Sequence, residues 1–426
     1  MGLLYELAVL LGLLLYVPRA LLRRRLPHRG WTMRLGRYPR QVREALGGRR
    51  ALWLHAVSVG EVLAVRPLAR ALLSADPQTP LALSTITPGG FQVAAAQLSP
   101  VVPIYFPLDL RACVTRALDT IRPRALLLVE CEWWPTVIRL TKARGASVVV
   151  VNGRLSERAF RRYRRVAGWT RRLLQDVDCF LMQSEADARR VAELGASPGR
   201  IQVVGSLKWD SSVGTRPSPE VIGETAARLG LSRDHLVVVA GSTHRGEEDV
   251  VLDAFAQVRD FTPRARLILA PRHLERLGEV ERLSREAGFE TVRCSAASAS
   301  TSWTVALVDT FGELARYYGL AHAVFIGGSL VRHGGQNPLE ATSLGKAVVF
   351  GPHMENFAEI AQRLLEAEAA RQLRRPEELA PVLRLLCAST GGTRMLGMRA
   401  QAVTERSQGA VVRTLAALRP FLRSPS

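Results

Sequence analysis

Lysine is almost missing from this chain: Lys142, Lys208 and Lys346 are the only lysines among its 58 basic residues. That skew reads as codon bias rather than function. Cysteine is sparse too. Cys113, Cys131, Cys179, Cys294 and Cys387 form no C-x-x-C pair and no Cys/His cluster at metal spacing. This excludes a disulfide framework and a zinc site and fits a reducing cytoplasm. No internal repeat and no low-complexity tract is present. No uncharged apolar run reaches the roughly 18 to 20 residues that cross a bilayer unaided.

What is present is arginine, unevenly placed. The formal net charge is +20. Residues 1–50 hold 11 arginines against Glu6 and Glu44, and residues 154–172 hold 8 against Glu157. Such patches call for an anionic partner or a solvated surface. The first follows an apolar stretch, LAVLLGLLLYVP (7–18), extended past Arg19 by Ala20, Leu21 and Leu22 and closed by Arg23, Arg24 and Arg25. Glu6 and Arg19 can snorkel from its ends, so a thin span and an interfacial helix are both open. No A-x-A-like cleavage site follows, which favours an uncleaved anchor over residues 1–25. The positive-inside rule then keeps the bulk of the protein on the cytoplasmic side of an anionic inner membrane.

At 426 residues and 47% hydrophobic content, the chain is long and apolar enough for two cores. From Ala51 onward short apolar runs alternate with stretches of helical period, which predicts parallel βαβ units. Strands are expected at 51–57, 81–85, 101–106, 125–130, 147–152, 179–183 and 201–205. A second series is expected at 236–241, 265–270, 305–309, 323–328 and 347–351. Residues 206–221 (SLKWDSSVGTRPSPEV) drop in hydrophobicity and read as a linker. The expected layout is an anchor (1–25), a Rossmann-like acceptor domain (26–205), the linker, and a Rossmann-like donor domain (222–426). The last helix is a candidate to pack back on the first domain. Two doubly wound α/β domains facing a cleft make the GT-B architecture.

Open α/β sheets bind ligands beyond the carboxyl ends of their strands, so the residues there deserve scrutiny. In HAVSVGEV (55–62) the first strand passes a Ser-Val-Gly turn and puts Glu61 at a helix start. A carboxylate there can take a proton from an acceptor hydroxyl; equally, it can simply favour the helix N-terminus. Glu130 closes the strand ALLLVE and is followed by Cys131, Glu132, Trp133 and Trp134, the tryptophans being as readily core as site. In the second half, GSTHRGEED (241–249) leaves a strand and opens a helix, so its amides can face an anion. In FIGGSLVRHGGQNPLEAT (325–342), paired glycines permit close backbone approach, with Asn337 at an N-cap and Glu340 one turn inside. That spacing suits a nucleotide-sugar donor.

HAVSVGE, the E-x-E-x-W-P segment at 130–135, GSLKWD, GSTHRGEE, PRH (271–273), FGEL and GGQNPLEA occur in order over almost the whole chain. Together they resemble the Kdo (3-deoxy-D-manno-octulosonic acid) transferases of lipid A assembly. The resemblance implies transfer of Kdo from CMP-Kdo to a lipid A precursor (lipid IVA), with inversion, without metal and without a cofactor. It places Glu61 on the general base, and Glu130 and Lys208 on residues that support the transition state. It assigns CMP to Pro271 and Arg272, to Phe311, Gly312 and Glu313, and to Asn337, Pro338, Leu339 and Glu340. The chain departs from the family pattern at Cys131, where Thr is common, at Trp133, where Leu or Ile is common, and at Gln336, where His is common.

Two other readings compete. A nucleotide-sugar epimerase shares the architecture but needs neither anchor nor lipid acceptor. Nucleic-acid binding would suit the charge, but no recognised module is present and the charge adjoins an apolar helix.

Overall fold

The computed structural model describes residues 5–7, 9–12, 14, 30–212, 216–232 and 234–422. These form two compact units: one runs up to Ser211 and resumes at Gln408, the other spans Ser212–Ser407.

The first unit is built on seven strands: β1 (Leu52–His55), β2 (Leu81–Thr85), β3 (Val102–Tyr105), β4 (Ala125–Val129), β5 (Ser147–Gly153), β6 (Cys179–Met182) and β7 (Ile201–Val203). They pair in parallel in the order β3-β2-β1-β4-β5-β6-β7. Every residue of β1, β2, β4 and β6 is buried, because helices cover both sheet faces, and this is why these strands read as continuous apolar runs. One face carries Trp53, Phe106, Leu126 and Val150; the other carries Leu54, Val65, Leu127 and Val149. The helix Ala410–Leu422 packs on the latter through Ala410 and Leu418.

The second unit repeats the plan with β8 (Leu236–Thr243), β9 (Ala265–Pro271), β10 (Thr291–Arg293), β11 (Val305–Leu307), β12 (Ala323–Ile326), β13 (Ala347–Phe350) and β14 (Ala370–Gln372). The order is β10-β11-β9-β8-β12-β13-β14, again parallel. β10 and β14 were not legible in the sequence. Each is a three-residue edge strand carrying an arginine, so neither shows a buried apolar run.

The boundary between the two units falls within the expected linker. The first half of 206–221 is no free tether, since Leu207 and Trp209 are fully buried in the turn Leu207–Ser212. The anchor expected over 1–25 falls largely outside the described residues. Residues 5–7, 9–12 and 14 are helical, and among the described residues no helix is long and apolar enough to cross a membrane.

Candidate active site

In each unit the chain runs outward from one central strand and later returns to that strand's other side. In the first unit the reversal lies between β1 and β4, in the second between β8 and β12. A crevice therefore opens at the carboxyl ends of each strand pair.

Glu61 sits at the first crevice. Ser58 caps the helix Val59–Ala75, its hydroxyl accepting the Glu61 N–H. The Glu61 carboxylate reaches back to accept the Val57 N–H at 2.8 Å and the Ser58 hydroxyl at 3.1 Å. This resembles a capping box shifted by one residue, the carboxylate taking the amide before the N-cap, so the helix-start role weighed above is real. It also fixes the side chain where β1 ends. Burial pushes the Glu61 carboxyl up to about 7, the Val57 amide opposes the shift, and the charges of Glu130 and Glu132 add to it. Glu61 is thus poised to exchange a proton near neutrality.

Glu130 leaves β4 with φ +58, and Asn152, at the end of the adjacent β5, has φ +52. Left-handed non-glycine residues cost of order 1–3 kcal/mol and cluster at functional sites. Buried Asn152 accepts the Leu207 N–H at 2.9 Å through Oδ1, which fixes the start of the turn carrying half-buried Lys208. Beside Glu130 lies a cavity of about 510 Å³, lined among others by Glu132, Trp133, Arg154, Arg162 and Tyr163. Trp133 packs on Tyr163 at 4.4 Å between centroids. Burial, then Glu130, raises the Glu132 carboxyl. Of the arginines at 161, 162, 164 and 165, Arg162 lines this cavity, whereas Arg161 pairs with Glu157 and Arg164 lies over Phe160.

The other candidates all lie at carboxyl ends of strands in the second sheet. Pro271 ends β9, and the Arg272 N–H bonds to the Thr243 carbonyl at 2.9 Å. The loop after β11 exposes Phe311 to 74%. Gly312 there has φ +81, and the Glu313 carboxylate accepts from Thr310 and Arg316. After β12, Pro338 rather than Asn337 is the N-cap of the short helix Leu339–Thr342; Asn337, one residue ahead, accepts the Leu339 N–H at 3.1 Å through Oδ1, so that N–H is already taken. Pro338 and Leu339 are buried and Glu340 is half-buried.

Within GSTHRGEED, the His244 N–H is taken by the protein's own Glu247, which also accepts the N–H groups of Gly328, Ser329 and Leu330. Its neighbour Glu248 is also fully buried, bonded by Thr243 at 3.1 Å and paired with Arg276 at 2.8 Å. Glu247 and Asn152 were missed. The available signal was an acidic pair inside a helix start, which ordinary capping explained equally well. The tryptophan of GSLKWD is core, and its Asp210 accepts the N–H groups of Gly409 (2.7 Å) and Val411 (2.6 Å), capping the helix Ala410–Leu422.

Two parallel Rossmann-like units, with carboxylates at one switch point and a glycine-rich loop at the other, define a protein of GT-B-like fold. The fold itself is shared with the putative UDP-N-acetylglucosamine 2-epimerase from Listeria monocytogenes (TM-score 0.52, 13% identity, 89% of this chain and 98% of that one).

The chain belongs to the 3-deoxy-D-manno-octulosonic acid transferase family. That family's N-terminal region, described as 3-deoxy-D-manno-octulosonic-acid transferase (kdotransferase), matches residues 29–211. The 3-deoxy-D-manno-octulosonic acid transferase of Bordetella pertussis is 33% identical over 87% of each chain. A bifunctional glycosyltransferase/methyltransferase of Fusobacterium nucleatum is 32% identical over 78% of this chain, which spans 52% of that longer protein.

Proposed function

We propose that this enzyme transfers Kdo from CMP-Kdo to a hydroxyl of a lipid A precursor, with inversion and without a metal ion. The acceptor oxygen attacks the anomeric carbon, its proton passes to Glu61, and the bond to CMP breaks with its electron pair on the departing phosphate. Glu130 and Lys208 support the charge that develops. Arg272, Phe311, Glu313, Asn337 and Glu340 hold the nucleotide. The observation that carries this reading is the Glu61 carboxylate, fixed by Val57 and Ser58 where β1 ends at the switch point; burial raises it to about 7, and a base near the working pH is the most effective one.

The acceptor reading draws on the first unit's cavity, where aromatic faces, carboxylates and arginines meet in a size range suited to a saccharide. Membrane attachment draws on Leu7, Leu10, Leu11 and Leu14, which form an exposed stripe at helical spacing ahead of the arginine cluster. The proposed location is the cytoplasmic side of the inner membrane. The deciding assay is CMP release from CMP-Kdo. Release that requires a lipid A precursor supports the proposal; release or donor epimerisation without acceptor would favour the epimerase chemistry that this fold also hosts.

A further inference from the structure

Glu247 has no part in the chemistry above, yet among the described residues of the second unit it is the most heavily hydrogen-bonded carboxylate. It is fully buried. It accepts the N–H groups of His244 at 2.8 Å, Gly328 at 2.6 Å, Ser329 at 2.9 Å and Leu330 at 2.9 Å. A carboxylate is very costly to bury without such partners, and charge-assisted bonds to amides are among the stronger kinds. Three of the four donors belong to the loop leaving β12, the loop that ends at Asn337 and Glu340.

The same loop is held a second way. The Gln336 amide lies 3.1 Å from His244 Nε2, and His333 stacks on the His244 ring with centroids 4.2 Å apart. Burial, followed by His333, His273, Arg272 and Arg276, lowers His244 to about 4. At neutral pH the ring is therefore uncharged, and its Nε2 accepts from Gln336. The Gly335 and Gln336 N–H groups close the loop on itself at the carbonyls of Gly328 (2.8 Å) and Gly327 (3.0 Å). A Cβ at Gly327 would fall 2.3 Å from the Ser242 carbonyl oxygen, so only glycine permits this approach.

We propose that Glu247 and His244 form a clasp that positions the 327–337 loop for the nucleotide-sugar donor, acting as positioning residues that do not touch it. Glu247 fills the nest that the amides of 328–330 would otherwise offer to a phosphate. The donor's anionic group is then held by side chains such as Arg272 rather than by these amides. This rests on the donor reading above.

The test uses full-length enzyme carrying Glu247→Gln, Glu247→Asp or His244→Phe. Glu247→Gln turns an amide donor toward loop N–H groups. His244→Phe keeps a ring against His333 but removes the acceptor for Gln336. Amide hydrogen exchange over 327–336, without ligand, is expected to quicken about tenfold in Glu247→Gln, the equivalent of one lost hydrogen bond. The donor KM should rise by about the same factor, with acceptor KM and kcat within twofold, and Glu247→Asp should recover part of the loss. Unchanged exchange, an unchanged donor KM, or a joint loss of kcat and both KM values with a lowered Tm would each overturn the clasp. Should Glu247→Gln fail to fold, His244→Phe decides by the same measurements. If wild-type enzyme does not use CMP-Kdo, the donor reading falls while hydrogen exchange still judges the clasp.

Discussion

Glu61 combines an observed helix-start role with the proposed chemistry. Its capping bonds would survive replacement by glutamine, which keeps an oxygen for the Val57 N–H and a donor for Ser58, but not its basicity. Glu61→Gln is expected to bind CMP normally and to lose transfer by a factor of roughly 10² to 10⁴, measured as kcat at saturating substrates. In the wild type, activity should fall as pH drops through about 7, where Glu61 takes up its proton. Stability follows the opposite course. A folded-state pKa raised from the usual 4.5 to about 7 contributes stability that is fully present below 4.5 and lost as pH rises through 7. Glu61→Gln should therefore raise Tm above pH 7 and leave it nearly unchanged at pH 4. A loss of Tm at pH 8 would show that the capping role dominates. The arginines divide in the same spirit: Arg162→Gln is expected to raise the acceptor KM severalfold, while Arg161→Gln, whose side chain pairs with exposed Glu157, should leave it alone. Equal effects from the two would mean that only the patch's summed charge matters.

At the scale of elements, helix ends carry much of the organisation. Asp210, read from sequence as part of a family motif with no assigned role, holds the start of the helix Ala410–Leu422 across some 200 residues of chain. Asp210→Ala should destabilise the first unit by about 1–3 kcal/mol in denaturant unfolding, having removed two charge-assisted bonds, and Asp210→Asn by less. The strands were largely legible because burial on both faces forces continuous apolar runs, as in ALLLV and VVVV of β4 and β5. β10 and β14 were not, because an edge strand of three residues needs no such run. The loop after β12 was legible as a loop from its glycines. That its amides face Glu247 was not, because the partners lie about 80 residues apart and only the pairing of β8 with β12 brings them together.

For the whole molecule, the charge of +20 and its two clusters bear on where the enzyme works. Juxtamembrane basic residues contribute about 1 kcal/mol each on anionic bilayers and are screened by salt. Flotation with anionic liposomes is expected to weaken as salt rises from 50 to about 500 mM, whereas neutral liposomes should show little salt dependence. Enzyme lacking residues 1–22 should be more soluble and bind CMP as before, since Leu7, Leu10, Leu11 and Leu14 are exposed. Calorimetry showing weakened CMP binding in that variant would place the N-terminal segment in the donor site instead.

The sequence by itself determined what is local or periodic: two series of βαβ units, a change of unit near 206–221, a basic apolar N-terminus, and seven short motifs whose order marks a family. It did so because burial periodicity and turn chemistry act over a few residues. The tertiary structure alone decided which strand ends meet and which charges see each other. Glu61 and Glu130 stand 69 positions apart, and the charge of Glu130 acts on Glu61 only because β1 lies beside β4. The same holds for Asn152 bonded to the turn of Lys208 and for Glu247 bonded by the loop after β12. A carboxylate's role is set by the desolvation and donors around it, and those are supplied by residues remote in sequence.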